Sequence, residues 1–204
     1  MNLIIISASQ RKDSQSVKVA QYIAESVTGY EKVTHFELCQ YNLPLWDGTQ
    51  EGKSTQQSDW PFLNEEINKA DAFIMITPEW GGMASPLLKN ILLMCSSQDT
   101  AHKPVLLVGV SSGISGVYPI AELRMNAFKN NKLVAIPDHL VLRNVEEILN
   151  DDNDAELTER DIQVRHRIGY SLHVLYHYSE SLQALRTNLS IHPYNNEERY
   201  SYGM

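Results

Sequence analysis

The chain has 204 residues, of which 43% are hydrophobic and 21% are charged, and its formal net charge is −8. This length fits one domain with one core, and the composition excludes a disordered chain. The acidic balance argues against binding of nucleic acid through its phosphates, which needs a basic surface. Apolar runs such as residues 3–6 are too short for a membrane span or a signal-peptide core, so we expect no membrane partner.

The cysteines and the distribution of charge indicate a cytoplasmic protein with an acidic end. Cys39 and Cys95 are the only cysteines, too few for a disulfide framework or a multi-cysteine zinc site, and they suit a reducing compartment. Residues 1–145 carry 12 basic and 14 acidic side chains, whereas residues 146–204 carry 5 and 11. We predict a single domain over residues 1–204, in which residues 146–204 form an acidic extension with a long helix and a tail.

Five short segments are predicted to be strands. Residues 3–6, 72–76 and 105–110 are wholly apolar, which is typical of parallel strands buried on both faces. Residues 33–38 and 139–142 supply the second and fifth strands.

Helical stretches with apolar residues three and four apart lie between and after these strands. The alternation of strand and helix predicts an α/β fold with a parallel sheet. The predicted loops are residues 39–58, partly packed, and residues 150–154, an exposed linker. The predicted helices are residues 17–27, 63–70, 86–95, 117–128 and 156–185.

The segment that follows the first strand gathers hydroxyls and one guanidinium at the start of a helix. It reads Ser-Ala-Ser-Gln-Arg-Lys-Asp-Ser-Gln-Ser over residues 7–16. Free backbone N–H groups and the positive end of the helix dipole would hold a phosphate there, together with the hydroxyls and Arg11. The alternative is that Asp13, Ser14 or Ser16 caps the helix and Arg11 is solvated.

Two more loops, residues 77–86 and 111–116, follow the third and fourth strands. In a parallel sheet all three loops emerge at the carboxyl edge, where open α/β sheets bind ligands. Trp80 is able to present its ring face to a flat ligand, and Gly81 and Gly82 allow backbone amides to approach it closely. The alternative is two ordinary turns that use glycine for positive φ.

These loops resemble those of the NADPH-dependent FMN reductases. Residues 8–14 resemble the Gly-Ser-x-Arg-x-x-Ser signature of that family. Residues 78–82 (Pro-Glu-Trp-Gly-Gly) with residues 88–90 (Leu-Lys-Asn) resemble its Pro-Glu-Tyr-Asn-Gly loop and downstream Leu-Lys-Asn. The resemblance covers about the first 145 residues.

The resemblance implies a flavodoxin-like three-layer sandwich with a five-stranded parallel sheet of order 2-1-3-4-5. It implies noncovalent FMN, a homodimer or homotetramer, and hydride transfer from NADPH or NADH to a small acceptor such as a quinone, flavin, azo compound or metal oxyanion. The flavin carries this chemistry, so no catalytic side chain is named. In Ala8, Trp80 and Gly81 the chain departs from the usual Gly, Tyr and Asn.

The resemblance also implies which residues bind the cofactor, in three groups that follow the first, third and fourth strands. The residues expected to bind the phosphate are Ser9, Arg11, Ser14, Gln15 and Ser16. Those expected to lie against the flavin ring are Pro78, Glu79, Trp80, Gly81 and Gly82. Those expected to close the other side are Ser111, Ser112 and Gly113.

Two other functions stay open: a flavodoxin-type electron carrier, which passes single electrons to a protein, and a sensor module that holds flavin without turnover.

Weaker motifs have simpler interpretations. Residues 48–54 resemble the end of a P-loop but lack one residue and a preceding strand. His166, His173 and His177 share one helical side, where packing or an interface is favoured over a metal site. Cys95 lies in an apolar run that favours core packing.

Overall fold

The computed structural model describes residues 1–150 and 157–200, so the predicted linker lies mostly outside the described residues. One five-stranded sheet of order β2-β1-β3-β4-β5 runs through the molecule, and every neighbouring pair of strands is parallel. This confirms the predicted topology. The strands are β1 Asn2–Ser7, β2 Lys32–Glu37, β3 Ala72–Pro78, β4 Pro104–Val110 and β5 Val134–Leu142.

Helices cover both faces of the sheet. Alternate residues of β1 illustrate the division, because Leu3 and Ile5 pack with α1 and α7, whereas Ile4 and Ile6 pack with α3, α4 and α6. The predicted three-layer sandwich is therefore confirmed. The helices are α1 Gln15–Ser26, α2 Gln50–Lys53, α3 Trp60–Lys69, α4 Pro86–Met94, α5 Ser97–Thr100, α6 Tyr118–Asn126 and α7 Glu159–Ile191.

Strand β5 begins five residues before the predicted start. It contains Pro137, and its pairing with β4 shifts register between Val105 and Leu107. An edge strand tolerates proline and a bulge, since one side of its backbone has no strand partner. Arg124 donates hydrogen bonds to the carbonyls of Pro137 and Asp138, both at 3.1 Å, so a side chain takes over part of the ladder.

Helix α7 continues past the predicted end at residue 185. Thr158 caps its start by accepting a hydrogen bond from the Asp161 amide at 3.1 Å, and the helix ends at Ile191. Pro193 follows two residues later, where a proline cannot continue a helix. The last turns are exposed, so the core pattern that predicted the helix stops before the helix does.

The predictions for the long loop and for Cys95 are confirmed. Tyr41, Leu43 and Trp46 of the loop pack against the core beside α4. Cys95 is buried, and this burial raises the pKa of its thiol to about 12. Within residues 1–150 and 157–200, no helix combines the length and the apolar character that a bilayer crossing requires.

Gly109 in β4 controls the loop that follows the strand. A Cβ at this position would collide with the backbone carbonyl oxygen of Gly116, because the loop folds back over the strand. We expect Gly109→Ala to lower the free energy of unfolding by about 1–3 kcal/mol through overpacking. Gly169→Ala in α7 is the matched control, since a Cβ there meets nothing within 4 Å. It should be neutral or stabilise the helix by up to about 1 kcal/mol. Urea unfolding of the two variants checks both signs, and equal stability would contradict this account of the loop.

Candidate functional site

A cavity of about 360 Å³ lies at the carboxyl edge of the sheet, where the loops after β1, β3, β4 and β5 converge. This is the edge at which the sequence predicts a ligand site. The cavity is lined by Ser9, Arg11, Lys12, Asp13, Ser14, Gln15, Ser16, Pro78, Glu79, Trp80, Val110, Ser111, Ser112, Val145 and Glu146.

Ser14 caps helix α1. Its side chain accepts a hydrogen bond from the Val17 amide at 3.3 Å, and Asp13 turns the chain into the helix with a φ of +50°. One of the proposed helix caps is thus present. The first turn of an α-helix has four N–H groups without an intrahelical partner, and one cap satisfies only one of them. The capping interpretation and the phosphate interpretation are therefore compatible.

Two buried polar atoms at the start of α1 have no hydrogen-bond partner within the described residues. They are Ser16 Oγ and Gln15 Oε1, and Ser16 is only 1% exposed. The first turn contains no acidic residue, and Arg11 and Lys12 lie just before the helix. An unpaired buried hydroxyl costs about 1–3 kcal/mol, which a ligand that accepts its proton would offset. The Ser16 hydroxyl, the free amides of the first turn and the two basic side chains suit an anion, whereas Gln15 Oε1 is an acceptor and the carboxylates of Asp13, Glu79 and Glu146 also line the cavity.

Arg11 links the two ends of the cavity. Its guanidinium lies 5.4 Å from the centroid of the Trp80 ring, within the range of a cation–π contact. The Arg11 amide donates to Ser9 Oγ at 3.1 Å, and this contact ties the backbone of the loop to a buried serine. The side chain is exposed, yet it contacts an aromatic ring as well as water.

Gly81 and Gly82 shape the loop after β3. Their φ angles are +59° and +76°, and they form a two-residue turn between Trp80 and Met83, which form an antiparallel bridge. Such a turn requires positive φ at both central residues, which favours glycine. Both glycines thus have the positive φ of the ordinary turn given as the alternative, and neither of them lines the cavity.

Glu79 joins the loop after β3 to the loop after β4. Its carboxylate accepts hydrogen bonds from Ser115 Oγ at 2.6 Å and from the Gly116 amide. Both oxygens of this predicted cofactor-binding residue are therefore engaged with the protein, although the residue lines the cavity.

The loop after β4 contributes Ser111 and Ser112 to the cavity wall, whereas Gly113 lies outside it. Gly113 instead accepts a hydrogen bond from the Asn144 amide at 3.0 Å through its carbonyl oxygen. This predicted residue helps to join two loops.

The loop after β5 is a wall that the sequence analysis missed. Val145 and Glu146 line the cavity, and Lys18 of α1 holds their segment by donating to the carbonyls of Val145 and Ile148, both at 2.8 Å. Parallel strands all end at the same edge, and this rule applies to β5 as much as to β1, β3 and β4. The rule could therefore have predicted that the loop after β5 lines the cavity. Lys12, Asp13 and Val110 lie within predicted segments, but none of them was predicted to be a binding residue.

The weaker motifs do not converge on this cavity. Residues 48–54 lie in the loop before α3 and contain the short helix α2, with no strand directly before it. On α7, the rings of His173 and His177 are 4.5 Å apart, and His177 Nδ1 lies 3.0 Å from Glu180 Oε2. The described part of the chain contains no cluster of three metal-ligating side chains.

The family model for NADPH-dependent FMN reductases matches residues 1–147. The chain therefore belongs to this family, and the predictions of an FMN-dependent oxidoreductase and of a reduced nicotinamide as co-substrate are confirmed.

Named relatives agree with this assignment, and solved structures share the fold. An NADPH azoreductase from Bacillus sp. (strain OY1-2) is 32% identical over 57% of this chain and 62% of its own. An FMN-dependent NADPH-azoreductase from Staphylococcus aureus is 27% identical over 82% of this chain and 90% of its own. The flavoenzyme NAD(P)H:(acceptor) oxidoreductase from Paracoccus denitrificans shares the fold. It has a TM-score of 0.68 at 17% identity and covers 88% of this chain and 97% of that one.

Two serines at the start of α1 separate the helix cap from the ligand site. Ser14→Ala removes the cap and should destabilise the protein without FMN by about 1 kcal/mol. Ser16→Ala removes an unpartnered hydroxyl and should leave the free protein as stable as wild type or more so. The stabilisation by saturating FMN should be smaller in Ser16→Ala than in wild type. Thermal unfolding with and without FMN checks this contrast, which fails if Ser16→Ala destabilises the free protein as Ser14→Ala does.

Proposed function

We propose that this chain is an FMN-dependent NADPH oxidoreductase that reduces azo compounds. One observation carries the assignment of the site: the buried Ser16 hydroxyl has no partner at the N-terminus of α1, inside a cavity at the carboxyl edge of the sheet. The donors there fit a phosphate monoester.

In this proposal the start of α1 binds the phosphate of FMN. Ser16 Oγ and the first-turn amides donate to phosphate oxygens, and the Arg11 guanidinium adds a charge-assisted bond. Ser9 and Ser14 hold the loop and the helix cap, as their contacts with Arg11 and Val17 indicate. The phosphate then neutralises the positive end of the helix dipole.

The loops after β3 and β4 hold the flavin ring. Pro78, Trp80, Ser111 and Ser112 form its walls, while Glu79 sets the position of one loop against the other. Gly81, Gly82 and Gly113 act by shaping the loops. When bound, FMN accepts hydride from the nicotinamide and passes electrons to the acceptor, and the protein positions it and excludes water.

The names of the relatives and the loops beside the cavity support the choice of acceptor and co-substrate. The two azoreductases described above are named for NADPH, which favours it over NADH. Met83 and Ile114 belong to the loops beside the cavity and are 54% and 86% exposed. Neither lines the cavity itself, but exposed apolar side chains on these two loops suit a flat aromatic acceptor such as an azo compound.

We also propose a homodimer or homotetramer in the cytoplasm, with residues 1–204 as one flavodoxin-like domain and residues 146–204 as its acidic extension. Packing of α7 against β4 and β5 supports a single domain. Arg186 near the end of α7 donates to Asp71 at 2.7 Å and to the His102 carbonyl at 3.1 Å, which fastens the extension to the sheet.

Steady-state kinetics under anaerobic conditions test this function. The FMN-loaded protein should oxidise NADPH in the presence of an azo dye, with a higher kcat/KM for NADPH than for NADH. Absence of turnover with either nicotinamide, together with reduction by a protein that donates single electrons, would favour the flavodoxin-type carrier. Reversible FMN binding without any turnover would favour the sensor module.

Arg11→Ala tests the phosphate end of the cavity. A hydrogen bond to a charged group contributes about 1.5–3 kcal/mol, so the dissociation constant for FMN should rise roughly 10- to 100-fold. Riboflavin lacks the phosphate, and its affinity should change much less. Fluorescence titration with both flavins measures the two constants. Equal losses for FMN and riboflavin would contradict a phosphate role for Arg11.

A further inference from the structure

Glu122 lies on α6, outside the residues that line the cavity, and it contacts the loop that carries Trp80. Its Oε2 accepts a hydrogen bond from the Ala84 amide at 2.7 Å, and its Oε1 accepts one from Lys89 Nζ at 3.0 Å. We propose that Glu122 is a positioning residue that fixes the flavin-ring side of the cavity through Ala84. This inference rests on the proposed function and deepens it.

The bond to Ala84 acts where the turn at residues 80–83 rejoins the body of the protein. Ala84 is 1% exposed, and the next amide, that of Ser85, donates to Thr77 Oγ1 at 2.9 Å. At the N-terminal end of the loop, the Glu79 amide donates a hydrogen bond to the Val110 carbonyl at 2.9 Å. Hydrogen bonds therefore fix both ends of the loop that contains Trp80.

Glu79 and Glu122 both fasten the loop after β3, Glu79 to the loop after β4 and Glu122 to helix α6. Glu79 extends from the loop after β3 to Ser115 and Gly116 in the loop after β4. Glu122 belongs to α6, which follows the loop after β4, and reaches back to Ala84 in the loop after β3. The loop after β3 is thus held at two separate points, which restrains its position relative to the loop after β4 and α6.

The charge of Glu122 is maintained by its partners. Partial burial raises the pKa of the carboxyl, but the hydrogen bonds from Ala84 and Lys89 outweigh this effect, so the pKa lies below its usual value. An ionised carboxylate makes shorter and stronger hydrogen bonds than a neutral acceptor. The hydrogen bond from the Ala84 amide to the Glu122 carboxylate is thus intact at neutral pH.

This arrangement also gives a physical role to residues 88–90, which the sequence analysis matched to a family motif. Lys89 holds Glu122. Asn90 accepts a hydrogen bond from the Trp46 amide and donates to the Pro44 carbonyl, both at 2.9 Å. Lys89 therefore links α4 to α6, and Asn90 holds the loop at residues 44–46.

Titration with FMN and riboflavin separates this role from phosphate binding. Glu122→Ala should raise both dissociation constants by a similar factor of about ten, because the ring loops contact the part that the two flavins share. Glu122→Gln keeps an oxygen that accepts from Ala84, so it should restore most of the affinity for both. Glu65→Ala, which removes an exposed carboxylate on α3, is the control and should bind both flavins as wild type does.

Hydrogen exchange of the flavin-free protein tests the tie directly. The Ala84 amide should exchange faster in Glu122→Ala than in wild type and Glu122→Gln. Wild-type affinity of Glu122→Ala for both flavins, or a loss confined to FMN, would overturn the inference while leaving the proposed function intact. A wild-type chain that binds neither flavin would overturn the proposed function, and with it this inference.

Discussion

Burying a hydroxyl without a hydrogen-bond partner costs folding free energy, and this chain does so at the N-terminus of α1. Ser16 is almost fully buried, and its Oγ has no partner within the described residues. The cost is about 1–3 kcal/mol in the free protein. We propose that a phosphate that accepts a hydrogen bond from this hydroxyl, next to the positive end of the helix dipole and Arg11, offsets this cost on binding. The rest of the cavity is arranged around that point.

The parallel sheet makes the arrangement possible. Strands that run in one direction deliver their loops to one edge, so the start of α1 lies beside the loops after β3, β4 and β5. These loops have little regular structure of their own, and side chains fasten them. Lys18 holds the segment after β5, Glu79 joins two loops, and Glu122 holds the base of the turn that carries Trp80. Arg11 connects the loop before α1 to that turn by its contact with the Trp80 ring.

Much of this was predictable because it depends on local patterns. Wholly apolar strands and alternating helices predicted the sheet order once the family resemblance was added, and the polar run at residues 7–16 predicted the start of α1. The roles of single side chains were less accessible. The motif predicts that Glu79 binds the cofactor, yet its carboxylate accepts hydrogen bonds from residues 36 and 37 positions away in the sequence. Glu122 has no motif of its own, and its contact with Ala84 exists only through tertiary packing. The early start of β5 depends on a bulge and on hydrogen bonds from Arg124, and the hydrophobic pattern of the sequence predicts neither of them.

A crystal structure of the FMN complex tests the central claim most directly, through the distance from Ser16 Oγ to the phosphate of the flavin. The account predicts a phosphate oxygen within about 2.5–3.0 Å of that hydroxyl, with the ring between the loops after β3 and β4. A phosphate bound elsewhere, with Ser16 Oγ still unpaired beside it, would contradict the account.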